Sequence, residues 1–87
     1  MTHDSHPKIV KRLKRTEGHL RKVIDMIETG RPCVDIAQQL YAVERAIQTA
    51  KSALIHDHVE HCLTEAAEEP EGRARQLAEF KEITRYL

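Results

Sequence analysis

The stretch CVDIAQQLYAVERAIQTAKSALIHDHVEHC, Cys33 to Cys62, contains neither glycine nor proline. Ile36, Leu40, Val43, Ile47, Ala50 and Leu54 recur along it with a period close to three and a half residues, the seam of a helix that packs lengthwise on another. Nothing before Glu69 breaks the pattern. The spacing therefore predicts one helix of about 30 residues, roughly 45 Å at 1.5 Å per residue. A compact domain of 87 residues has a radius of gyration of about 12 Å, so such a helix overhangs it.

Upstream, Pro7 suits the first turn of a helix, and Ile9, Leu13, Leu20, Val23, Ile24 and Ile27 repeat at helical spacing up to Gly30, a fitting C-terminal stop. That gives a first helix from Pro7 to Thr29, with residues 1–6 as a flexible N-terminal arm. Pro32 opens the second helix, and Cys33 lies on its seam. After the turn Glu69-Pro70-Glu71-Gly72, the spacing of Leu77, Phe80, Ile83 and Leu87 predicts a short third helix. The expected fold is all-α: one domain over 1–87, a long antiparallel hairpin plus a short C-terminal helix. With one Phe, two Tyr and no Trp, the core is aliphatic and thin, and the exposed seam is expected to pack against another copy, as a dimer or higher even oligomer.

No apolar run approaches 18 residues and no signal-peptide pattern opens the chain, which points to the cytoplasm and away from a membrane. In a reducing compartment the two cysteines read as free thiols or metal ligands. The net charge is zero, yet the charges are segregated. Lys8, Lys11, Arg12, Lys14, Arg15, Arg21, Lys22 and Arg31 make the first third basic. Glu65, Glu68, Glu69 and Glu71 crowd the region after Asp57. Only local charge matters to a phosphate within a Debye length. Lys8, Lys11, Arg12 and Arg15 recur at spacings of three and four, a stripe suited to phosphate backbones. There is no helix-turn-helix signature, so reading of DNA backbone and shape is expected.

His58 and Cys62 are four residues apart, one turn above each other, and so positioned to share a metal ion. Taken singly, His58 reads as a half-exposed helical histidine and Cys62 as a small buried hydrophobe; the joint spacing makes the ligand pair. His56 and His61 face other directions. Cys33 stands far along the same helix, so if it joins His58 and Cys62 it must come from a neighbouring antiparallel subunit. Two thiolates and an imidazole form a soft donor set for Cu(I), which also holds Zn(II), or Ni(II) and Co(II) if another nitrogen joins. His3, His6 and the α-amino group of the opening MTHDSH are candidates for that nitrogen. A Cys/His nucleophile lacks a glycine-rich turn and an oxyanion-hole motif here, so enzyme activity is not expected.

The segments RLKRTEGHLRKVIDMIE (12–28), PCVDIAQQLYAVERAI (32–47) and LIHDHVEHC (54–62), in that order and followed by a short third helix, resemble the copper-sensitive operon repressor family, CsoR/RcnR, of metal-sensing transcriptional repressors. The resemblance implies a homotetramer, a dimer of dimers, that binds operator DNA and releases it when an inducer binds. In the copper branch Cu(I) would be held by Cys33 of one subunit and by His58 and Cys62 of another. The nickel and cobalt branch adds an N-terminal histidine, whose nearest counterpart is His3, then His6. The family's DNA contacts map onto Arg12 and Lys14, with Arg15 adjacent and Lys8 and Lys11 on the same helix. The chain also departs from the copper pattern. Pro32 replaces a tyrosine of the outer shell, Glu79 is the counterpart of an outer-shell glutamate, and a basic residue of helix two falls near Thr49, with Arg45 or Lys51 to take its place. The expectation is a Cu(I)-released repressor, with a Ni(II)- or Co(II)-released one as the alternative. A cytosolic metal buffer and a thiol redox sensor that pairs Cys33 with Cys62 are alternatives of another class.

Overall fold

The computed structural model describes residues 5–68 and 72–87, without the side chains of Cys62 and of residues 65–68. Helix α1 spans His6–Glu28, α2 spans Cys33–Glu68, and α3 spans Arg73–Ile83, followed by a single 3-10 turn at Thr84–Tyr86. The described residues form no strand. α1 begins at His6, one residue before the expected start, so His6 belongs to the helix and not to the arm. Pro7 is tolerated there because amides of the first turn have no intrahelical acceptor to lose.

Gly30 ends the first helix as its position predicts. It adopts φ 73°, the left-handed conformation that glycine reaches without a Cβ penalty. From there the Arg31 amide donates to the Met26 carbonyl at 2.9 Å and the Gly30 amide to that of Ile27 at 3.2 Å, the paired bonds of a Schellman stop. The Pro32 carbonyl then accepts the first bond of α2, from the Ile36 amide at 3.1 Å. A turn of four residues thus reverses the chain. The second helix, at 36 residues, is longer than expected and measures about 54 Å. The molecule has principal extents of 58 × 23 × 14 Å and a radius of gyration of 17.8 Å, well above that of a compact domain of its length.

The hairpin closes on two rows of seven-residue spacing. Ile9, Thr16 and Val23 of α1 are buried, and they face a row of α2 in which Val43 and Ala50 are buried. The Thr16 hydroxyl is satisfied locally, donating to the Arg12 carbonyl at 3.0 Å. Across the hairpin, His19 bonds Gln39 at 2.7 Å, while His6 lies 3.8 Å from Asp57, which fixes the antiparallel register. α3 packs on the second half of α2 and makes no contact with α1 among the described residues. It does so through Gln76, buried, and Phe80 and Ile83, half-buried.

A second pair of seven-residue rows remains uncovered. Leu13, Leu20 and Ile27 on α1 and Leu40, Ile47 and Leu54 on α2 are all exposed. Among the described residues five apolar side chains are buried and fourteen large ones exposed, so the core within the chain is thin, as its small size leads one to expect.

Candidate functional site

Cys33 is the first residue of α2, exposed and with a free thiol. Seven-residue steps from it reach Leu40, Ile47 and Leu54, so the thiol stands at one end of the uncovered apolar flank. His58, half-buried, lies 25 residues along the same helix, and steps of 100° return it to within about 20° of the Cys33 direction, about 37 Å away. The two are therefore ends of one stripe, and one ion cannot bind both within a chain. Consistent with this, the described residues hold no group of three His, Cys, Asp or Glu able to bind a metal. Cys62 is on the α2 backbone one turn beyond His58; its side chain lies outside the described residues. The donor types fit a soft or borderline metal ion, provided that a second chain completes the set.

His3 also lies outside the described residues, whereas His6 is placed by α1. Its Nε2 is 3.8 Å from Asp57 Oδ2, between half-buried side chains, so the start of α1 sits beside the α2 turn that carries His58. The sequence gives no hint of this pairing, because it depends on the register between two helices. His56 points to solvent, with Nε2 3.9 Å from Glu60 Oε1 of its own helix. His61 is half-buried. Glu79 is exposed on α3.

The expected basic residues Lys8, Lys11, Arg12, Lys14 and Arg15 are all exposed on α1. None forms an ion pair with a described residue, so their charge is available to a partner. They continue past the expected stripe. Arg15, Gly18, His19 and Lys22, at spacings of three and four, line an open cleft with Gln39 of α2. His19 and Gln39 were absent from the sequence expectation, and Lys22 entered it only as part of the basic first third; the 15/18/19/22 spacing was the available signal. On α2, Arg45 donates to the Tyr41 hydroxyl at 3.2 Å and lies over its ring, 5.8 Å from the centroid. This orders a cation on the exposed face near Thr49.

The molecule is thus a helical hairpin with Cys33 and His58 at opposite ends of an uncovered seam and an exposed cationic stripe on α1. The metal-sensitive transcriptional repressor family matches residues 5–86. The copper-sensing transcriptional repressor CsoR of Bacillus subtilis (strain 168) is 38% identical over 80 residues, 88% of this chain and 79% of that one. The copper-sensing repressor RicR of Mycobacterium tuberculosis is 40% identical over 70 residues, 79% of this chain and 73% of its own. Among solved structures, the nickel-responsive regulator InrS superposes with a TM-score of 0.84 at 38% identity, covering 100% of this chain and 98% of that one. The Cu(I) form of CsoR from Geobacillus thermodenitrificans NG80-2 superposes with 0.83 at 34% identity, covering 99% and 88%. The chain belongs to the CsoR/RcnR family of metal-sensitive transcriptional repressors. Its function is metal-linked repression of transcription, and it is not an enzyme.

Proposed function

We propose that this repressor, a single domain working in the cytoplasm as a dimer of dimers, holds operator DNA through Lys8, Lys11, Arg12, Lys14 and Arg15 when metal-free. It releases the DNA when Cu(I) binds Cys33 of one subunit together with His58 and Cys62 of the partner subunit. One observation carries the reading, namely the symmetry of the exposed stripe about Ile47. A twofold axis through that residue sets Leu40 opposite Leu54 of the partner subunit. The same axis brings Cys33 opposite the turn that holds His58 and Cys62 of the partner subunit. Burying the apolar rows thus assembles the donor set, and metal binding is tied to the placement of two chains.

Cu(I) would supply strong, soft bonds to thiolate sulfur that hold this placement. The residues of the chain do the rest. The cysteines lose protons to the solvent on binding, and the imidazole must present a neutral nitrogen. Glu79 is proposed to support the histidine from outside, as hydrogen-bonded outer groups do at metal sites. Release follows from linkage: an ion that binds the DNA-incompetent arrangement more tightly lowers DNA affinity by the same factor.

Ni(II) or Co(II) is the second reading, favoured by the contact of His6 with Asp57 and by the likeness to a nickel-responsive regulator. His3, three residues before His6, is tethered within about 10 Å of it and would add the nitrogen these ions require.

The test is complementation between subunits. Neither Cys33→Ala nor the double variant His58→Ala, Cys62→Ala should bind Cu(I) tightly. An equal mixture, unfolded and refolded together, should recover about a quarter of the wild-type sites, because half the dimers are mixed and each has one intact site. No recovery in the mixture would refute the intersubunit site.

A further inference from the structure

Gly18 sits in the middle of α1, where glycine is destabilising relative to alanine. Neither conformation nor packing within the chain explains it: its φ is not positive, and a Cβ built there would meet nothing within 4 Å. The helix surface at Gly18 is open. The side chains around it set its chemistry. The cleft over Gly18 is lined by Arg15, His19 and Lys22 of α1 and by Gln39 of α2, with no carboxylate and no apolar side chain. Arg15 and Lys22 are exposed and form no ion pair with a described residue. The exposed apolar rows suited to a second copy lie on another flank of α1, since Leu20 and Ile27 are separated from Lys22 by more than a third of a turn.

His19 and Gln39 share the cleft's one short bond. The imidazole Nε2 lies 2.7 Å from the Gln39 Oε1, and because an amide oxygen only accepts, the ring nitrogen carries the hydrogen. Gln39 is thereby oriented, its oxygen engaged and its NH2 group without an acceptor among the described residues. The cleft then offers a guanidinium, an ammonium and an amide NH2 around a stretch of bare backbone. Such a set suits a tetrahedral oxyanion that brings bulk of its own.

We propose that the cleft formed by Arg15, Gly18, His19, Lys22 and Gln39 is a seat for a phosphate group of the DNA backbone. Arg15, Lys22 and Gln39 donate to the phosphate, His19 positions Gln39, and Gly18 lets the sugar-phosphate chain approach α1 closely. The inference rests on the operator-binding reading above and extends the contact surface by two turns of α1 and onto α2. A phosphate contact that crosses from α1 to α2 also makes DNA sensitive to the relative position of the two helices.

The test measures operator binding by the full-length, reduced, metal-free protein over a range of salt concentrations. Lys22→Ala should weaken binding about five- to tenfold near 0.15 M salt, and lower the slope of log affinity against log salt by about one. Arg21→Ala, which removes the same charge one residue away and off the cleft, should change the slope less. Gly18→Ala should raise the melting temperature while weakening operator binding, a combination that simple misfolding cannot give. An unchanged slope in Lys22→Ala, equal effects of Lys22→Ala and Arg21→Ala, or undiminished binding by Gly18→Ala would each overturn the seat. So would a change of subunit mass in Gly18→Ala, since the glycine would then serve a contact between copies. Inorganic phosphate separates the two sources of this chemistry. If it shifts the Gly18 amide resonance while Lys22→Ala leaves DNA binding intact, the cleft takes free phosphate and the DNA assignment falls. Absence of salt-sensitive binding by the wild type would instead refute the operator-binding reading itself.

Discussion

Val23 is 1% exposed, and on its own row the adjacent residue seven positions back is the small Thr16, with Ile9 a further seven-residue step away. With so few buried side chains, each carries a large share of the hairpin's cohesion. Val23→Ala deletes two buried carbons and leaves a void between the helices, at a cost of about 2 kcal/mol. Chemical denaturation of wild type and variant at equal protein concentration checks this. A difference below about 0.5 kcal/mol would mean that the α1/α2 seam is not the principal core. The cysteines show the opposite logic at the same scale. Cys33 is exposed and free, at a helix start where packing within the chain does not require it, so its thiol is available to a ligand.

At the scale of elements, the long helix is defined by two adjacent rows, and both are legible in the sequence as seven-residue repeats. What the repeat cannot say is which row faces α1. The structure buries Val43 and Ala50 and leaves Leu40, Ile47 and Leu54 outside, a choice made by the register of α1. The Gly30 stop was legible because it needs only local chemistry. The start at His6 was not, because Ser5 before it forms no side-chain cap bond that would mark it, and the approach of His6 to Asp57 was not, because it depends on how far the two helices slide. The proposed ligand stripe was half legible: the four-residue step from His58 to Cys62 shows at once, whereas the alignment of Cys33 with His58 needs an unbroken helix between them. If the outer row joins two copies through Ile47, Ile47→Glu places two carboxylates near the twofold axis. Burial of unpaired charge there should raise the dimer dissociation constant at least about a hundredfold. Sedimentation equilibrium should then show monomers that remain helical by circular dichroism, whereas an unchanged mass would remove the row from the interface.

For the whole molecule, the zero net charge conceals a division of surfaces. Apolar rows run along one flank of the hairpin and unneutralised cations along another flank of α1. α3 rests on α2 alone. Both flanks belong to the same rod, so an ion that fixes how two rods lie together also fixes how their cationic flanks are spaced. In the proposed assembly that spacing would have to match phosphates on DNA, so metal binding and DNA binding would compete without sharing a residue. None of the helices is long and apolar enough to cross a membrane among the described residues.

The proposed function is a coupling, and affinity alone does not test it, because Cu(I) binds thiolates tightly at many sites. The direct measurement is anaerobic titration of the operator complex of the reduced protein with Cu(I), Ni(II) and Co(II) separately, for wild type and for Cys33→Ala and His3→Ala. Cu(I) should weaken the wild-type complex by about one to two orders of magnitude. The Cys33→Ala complex should not weaken, and the His3→Ala complex should weaken fully. Release by Ni(II) or Co(II) that disappears in His3→Ala would contradict the copper assignment and bring the N-terminal arm into the site. Release by Cu(I) that persists in Cys33→Ala would contradict the site shared between subunits.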